Sequence, residues 1–183
     1  AGEEALAGVS FVPLRLPELQ TPSIAAVNGF AMGLGMGIAQ SCDSRIGSQN
    51  ARMAETFIRR GLIPAGGSCW QLPRMIGLGN TMMLQYTGDV MNAEECHRLG
   101  IINKITPHDE LMETTLDLAQ RIADGPTYSQ ALIKRLVQRS LNIDFAESWR
   151  LAGPAQTIAR STDDHKEGVR AFVEKRQPAF KGR

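Results

Sequence analysis

Residues 28–43 read NGFAMGLGMGIAQSCD, a glycine-dense run that follows the short apolar stretch SIAAV at 23–27. A strand that feeds a tight turn, with glycines opening the next helix, leaves backbone N–H groups unpaired at the helix N-terminus. Such amides suit a phosphate, or a carbonyl oxygen that gains negative charge during a reaction. Glycines also let a ligand come close to the backbone. Three uses compete. Small residues can serve packing alone, by letting the helix lie close to a sheet. A dinucleotide turn needs Gly-x-Gly-x-x-Gly, whereas Gly33, Gly35 and Gly37 give Gly-x-Gly-x-Gly, which argues against that use. The third use is an oxyanion hole for a thioester carbonyl.

Other reactive residues are sparse. Ser68 and Cys69 sit in GGSCW with no histidine close in sequence, and His97, His108 and His165 fall on expected surface helices or turns. A Ser or Cys nucleophile with a histidine base is therefore disfavoured. Trp70 reads as core or interface rather than as a substrate stack. The cysteines, Cys42, Cys69 and Cys96, are odd in number and form no Cys-x-x-Cys or Cys/His cluster. Neither a disulfide framework nor a metal site is expected, and a reducing, cytoplasmic setting is the default. The start, AGEEALAG, carries acids where a signal peptide would carry positive charge. With 20 basic and 19 acidic residues, no nucleic-acid partner is expected.

The elements that must position the glycine turn follow from periodicity and punctuation. Length and a 43% hydrophobic content suit one domain with a sizeable core and a smaller satellite. Residues 1–20 read as an approach segment in which Pro13 and Pro17 block a long helix. Strands are expected at 23–27, 44–48, 52–54 and 101–105. Residues 58–68, IRRGLIPAGGS, carry loop chemistry. Helices are expected at 33–41, 69–76, 79–87 and 93–99, the last capped by Asn92 and ended by Gly100. Beyond Pro107 the pattern turns helical. One amphipathic stretch puts Leu111, Leu116, Leu118, Ile122 and Ala123 near one face and ends at Gly125. The next opens at Pro126, another is capped by Asp144, and the last starts after Thr162. Residues 1–125 are thus α/β and residues 126–183 all helical.

Residues 19–42 carry no charge and are long enough to span a bilayer. Their apolar content is mostly Ala and Met, interrupted by Pro22, Asn28, Gln40 and glycines. A strand, turn and buried helix account for them better, and no membrane contact is expected.

Four ordered blocks resemble the crotonase (enoyl-CoA hydratase/isomerase) family: TPSIAAVNGFAMGLGMGIAQSCDSRIGS, RRGLIPAGGSCWQLPRMIG, TGDVMNAEECHRLGIINKI and STDDHKEGVRAFVEKRQPAFKG. Together they run from Thr21 to Arg183. The resemblance implies a spiral of stacked strand–strand–helix turns followed by a helical trimerisation region, and hence a homotrimer or hexamer. It implies an acyl-CoA substrate, with coenzyme A as part of the thioester and no separate cofactor. The shared chemistry is stabilisation of an enolate-like thioester oxygen by two backbone N–H groups. One falls by position on Leu34, between Gly33 and Gly35, where the family often has glycine. The other comes in the family from an earlier strand-to-helix turn. No counterpart precedes Leu19, so the N-terminal strands are expected to be missing.

The resemblance also locates the family's acids. Hydratases carry glutamates at the positions of Gly37 and Phe57, and some isomerases and dehalogenases carry an acid at Ala65. None of the three is a carboxylate here, so a two-glutamate hydration is not supported. Glu55 is the nearest candidate base, two residues before Phe57 and on the same side of an extended segment. The alternative, a solvated or salt-bridged surface glutamate, is favoured for Glu55. In the C-terminal block, Phe172 and Lys175 match the helix that covers the coenzyme in the family, with the lysine near a phosphate. Lys175 and Arg176 are equally explained as cations at a helix C-terminus. An acyl-CoA enzyme and a catalytically weak family member that binds acyl-CoA or serves in assembly both remain open.

Overall fold

Parallel pairing of strands from successive turns organises the first half of the chain. In the computed structural model, which describes residues 12–183, β1 (Ile24–Val27) lies beside β3 (Ser44–Ser48), and β2 (Phe30–Met32) lies beside β4 (Arg52–Ala54). Both pairings are parallel, so the strand pair that follows the glycine helix repeats the pair that precedes it. β6 (Lys104–Thr106) extends the first sheet in the order β1-β3-β6. β5 (Met91–Asn92) closes the second sheet antiparallel to β4. Helix α2 (Leu34–Ser41) links the two pairs. This is the spiral of strand–strand–helix turns that the sequence resemblance implies. The short helix α1 (Val12–Arg15) precedes it; the approach segment 1–20 otherwise lies partly outside the described residues.

After β4 the chain forms a 3-10 helix (Thr56–Arg60), then α3 (Ser68–Ile76), α4 (Leu78–Thr87) and α5 (Ala93–Arg98). The 3-10 helix occupies the start of the stretch expected to be loop. Asn92 caps α5 by accepting from the Glu95 N–H at 2.9 Å, as its sequence position suggests. The strand expected at 101–105 is shorter and later. The N–H groups of Ile101 and Ile102 both donate to Cys96 O, at 2.8 and 3.1 Å, and so close the end of α5 instead of joining a ladder.

The core lies between these layers. Met36, Met53, Leu72 and Ile101 are 0% exposed, each contributing roughly 1.5–3 kcal/mol relative to an exposed side chain. Arg45 is buried among the carbonyls that end α2, donating to Cys42 O at 2.7 Å and to Asn103 Oδ1. A cation there satisfies the helix C-terminus. Burial lowers its pKa, although Cys42 and Asp43 oppose the shift.

Four helices complete the chain: α6 (Leu111–Ala123), α7 (Thr127–Ser140), α8 (Phe145–Ser161) and α9 (Asp163–Glu174). Asp144 and Thr162 cap α8 and α9. Two compact units result. One takes in the described residues up to Pro17 with Ser23–Leu116, and the other takes in Glu18–Pro22 with Asp117–Arg183. The division between the units falls inside α6. On α6, Leu111 and Thr115 are buried and Leu118 and Ile122 half-buried, whereas Leu116 and Ala123 are exposed. The buried stripe is therefore narrower than the expected face. Among the described residues no helix is long and apolar enough to cross a membrane, and 19–42 is divided among strands, a turn and α2.

Candidate active site

The glycine turn has the geometry that its composition suggests. Gly33 adopts φ 54 and ψ −115 as the N-cap of α2, with no side chain capping the helix. Positive φ in this region is tolerated by glycine and strained for other residues. A Cβ on Gly33 would also lie 3.4 Å from the Phe57 ring and 3.5 Å from Thr56 Oγ1. The Gly33 N–H is tied to Ala54 O at 2.8 Å, and the first helical bond runs from Gly37 N–H to Gly33 O at 3.0 Å. The amides of Leu34, Gly35 and Met36 precede that bond and have no partner within the helix.

A cavity of about 600 Å³ opens at this point. Its walls are Met32, Gly33 and Leu34 from the glycine turn, and Thr56, Phe57, Arg59, Arg60 and Leu62 from the 3-10 helix and the following loop. Among the described residues, none that lines it carries a carboxylate. The structure thus brings together Leu34, Gly33 and Phe57. Gly35 is exposed on α2. Gly37 is buried, where an added Cβ would touch Gly66 O at 3.7 Å. Ala65 is exposed in the loop before α3.

Glu55 is not a surface residue. It is 1% exposed, and it does not share the face of Phe57, because the 3-10 helix begins at Thr56 and breaks the extended alternation. Ser68 Oγ donates to Glu55 Oε1, and Gln40 Nε2 donates to the same oxygen at 3.2 Å. Ser68 Oγ also lies 2.9 Å from Gln40 Oε1. Glu55 Oε2 is buried with no hydrogen-bond partner among the described residues. Burial raises the carboxyl pKa above its ordinary value, against the lowering effect of the two hydrogen bonds. Glu55 is absent from the cavity walls. Its carboxyl joins the N-terminus of α3 to the C-terminal end of α2.

Ser68 is committed to this buried cluster, and no histidine bonds to it. Cys69 is exposed, Cys96 is buried, and burial pushes the Cys96 thiol up to about 12. Trp70 is partly exposed, with the Arg74 guanidinium 4.0 Å over its ring.

Phe172 and Lys175 belong to the second unit. Phe172 is 82% exposed and lines a larger cavity, of about 960 Å³, among α7, α8 and α9. That cavity is walled mainly by apolar side chains such as Leu132, Ile133 and Trp149. Its volume exceeds that of the Leu34 cavity, and Pro126 and Ser129 from the N-terminus of α7, which no side chain caps, also lie in its wall. Lys175 is exposed and ends α9 as its C-cap, with φ 54. Sequence reasoning missed Arg59 and Arg60 as cavity residues and the Gln40–Glu55–Ser68 cluster. The arginines had a visible signal, a dibasic pair in an otherwise apolar segment. The cluster had none, because its members are distant in sequence.

The family model described as enoyl-CoA hydratase/isomerase matches residues 11–183. A short-chain-enoyl-CoA hydratase of Clostridium acetobutylicum is 37% identical over 170 residues, covering 92% of this chain and 65% of the relative. A 1,2-epoxyphenylacetyl-CoA isomerase of Escherichia coli is 35% identical, covering 92% of this chain and 64% of the relative. The crystal structure of an enoyl-CoA hydratase from Bacillus anthracis superposes with a TM-score of 0.94 at 31% identity, over 100% of this chain and 72% of that one. The chain spans less than two thirds of the length of these curated relatives.

Proposed function

Because the chain belongs to the enoyl-CoA hydratase/isomerase family, we propose that it binds an acyl-CoA thioester with the carbonyl oxygen on the Leu34 N–H. The observation that carries this reading is the cavity itself, which opens on helix-terminal amides that no side chain caps. An N–H fixed in place before the reaction stabilises negative charge on the oxygen as an enolate forms. It thereby lowers the barrier to moving a proton at the α carbon, or to adding water at the β carbon of an enoyl-CoA. Relatives named as a hydratase and as an isomerase of CoA thioesters support both outcomes. Gly33 and Gly35 allow the close approach, Phe57 forms an apolar wall, and Gly37 and Ala65 leave room beside the turn. Phe172 and Lys175 serve the coenzyme portion, and the exposed apolar helices of the second unit support a homotrimeric or hexameric assembly.

A second reading has an observation in its favour. None of the described residues lining the cavity carries a carboxylate, and a base must come within hydrogen-bond reach of the proton that it takes. On that reading the chain binds acyl-CoA with little or no turnover. Calorimetry of the full-length protein with butyryl-CoA, alongside turnover of crotonyl-CoA, separates the two. Binding with turnover establishes the enzyme, and binding alone establishes the second reading. No binding overturns the assignment of the Leu34 cavity.

A further inference from the structure

We infer that Arg60, with Arg59 beside it, binds a carboxylate at the far end of the acyl group, so that the site prefers acyl-CoA thioesters carrying an acidic acyl chain. The inference rests on the acyl-CoA reading above and names the substrate class within it. Both arginines line the cavity that holds the Leu34 amide. Every other described residue lining it is neutral, so two positive charges share the cavity with no counter-charge from the described walls.

The two arginines are not equivalent. Arg59 packs over Gly88, close enough that a Cβ there would lie 3.2 Å from its Cγ. Its guanidinium meets Asp89 at 3.5 Å, which fixes its direction and offsets part of its charge. Arg60 is exposed and makes no ion pair among the described residues. A planar guanidinium presents a donor fork that matches a carboxylate bidentately, and it does not lose its charge near neutral pH. Arg60 therefore supplies the free cation, while Arg59 adds to the local positive potential. The part of the ligand next to the thioester carbonyl fills this cavity. The coenzyme's phosphates lie beyond the full pantetheine chain, which makes the acyl end the source of the negative charge.

The test compares glutaryl-CoA with pentanoyl-CoA, which have the same chain length and differ by one carboxylate. Calorimetry on the full-length protein at low salt is expected to show glutaryl-CoA binding about tenfold more tightly, a partly exposed charge-assisted contact. Arg60→Gln should remove that preference and leave pentanoyl-CoA affinity within about twofold. Arg60→Glu should reverse the preference, which guards against a loss caused by misfolding. Equal affinities in the unaltered protein overturn the inference alone. So does an Arg60→Gln variant that weakens both ligands equally, because the guanidinium would then meet a coenzyme phosphate. Failure of both thioesters to bind removes the underlying reading and the inference with it.

Discussion

The strand-rich unit holds a cluster of buried apolar side chains, although Phe30 and Ile63 stay 82% and 72% exposed, whereas the helical unit buries little apolar surface beyond Ala171. In the first, Met36, Met53, Leu72 and Ile101 are 0% exposed. In the second, α8 buries no residue, and Ile133, Phe145, Trp149 and Val173 remain 60%, 79%, 71% and 73% exposed. Both regions hold regular structure, capped where the sequence offers Asn92, Asp144 and Thr162. Regular helices therefore do not by themselves produce a closed core. The unpaired amides of the glycine turn sit in the strand-rich unit, where a fixed backbone can aim them. The helical unit leaves large apolar side chains of α7, α8 and α9 exposed.

The largest expected effect tests whether the strand-rich unit serves the amides. Gly33→Val places a β-branched residue at positive φ and drives a side chain toward Phe57 and Thr56. Displacing the Leu34 N–H should lower acyl-CoA turnover, or binding where there is no turnover, by roughly 10²–10³-fold. Circular dichroism should show the fold retained. Unchanged function would break the link between the turn and the thioester.

Paired truncations sharpen the contrast in packing. Leu72→Ala removes a fully buried side chain and should cost about 3 kcal/mol in chemical denaturation. Trp149→Ala removes a larger side chain that touches Phe145, with ring centroids 6.1 Å apart, but is mostly exposed. In the monomer it should cost under about 1 kcal/mol. A larger cost together with an unfolding midpoint that rises with protein concentration would show the helical face buried in an assembly.

A smaller effect distinguishes a buried carboxyl from a catalytic one. Glu55 holds its proton more tightly in the folded chain than its ordinary value of 4.5 allows. Unfolding therefore releases a proton, and stability should fall as pH rises from about 4.5 through the raised folded value. Glu55→Gln should abolish that part of the pH dependence and be at least as stable as the parent above it. Urea denaturation across pH 4–8 provides the check. Turnover should stay within about threefold. A loss of roughly 10²–10⁴-fold would make Glu55 the general base after all.

What was legible in the sequence was local. The strands at 44–48 and 52–54 and the caps each depend on neighbouring residues, and their residue types announce them. The glycine spacing likewise marks the helix-terminal amides. Glu55 was misjudged because its burial comes from Gln40 and Ser68, which approach only when α2 and α3 pack. Ile101 and Ile102 looked like strand because they are apolar, yet their amides end a helix. Leu116 has the hydrophobicity of a core residue but falls off the buried stripe of α6. In each case the residue type was informative about polarity and silent about partners.

Lys175 gives the smallest effect and separates two roles that the sequence joined. It is the one non-glycine among the described residues with positive φ, at 54. The end of α9 is held instead by Arg176. Its N–H donates to Ala171 O at 3.0 Å, and its guanidinium bonds Glu167 and Glu174 at 2.6 Å. That pairing, chiefly with Arg176, lowers the Glu167 carboxyl to about 2. Charge at the helix end therefore does not need Lys175. Glycine accepts the left-handed cap without the cost of a Cβ, so Lys175→Gly should raise stability by roughly 0.5–1 kcal/mol in thermal denaturation. If Lys175 meets a coenzyme phosphate, the same variant should bind all CoA thioesters several-fold more weakly, and Lys175→Arg should restore part of that affinity. Higher stability with unchanged affinity would leave the lysine without a ligand role.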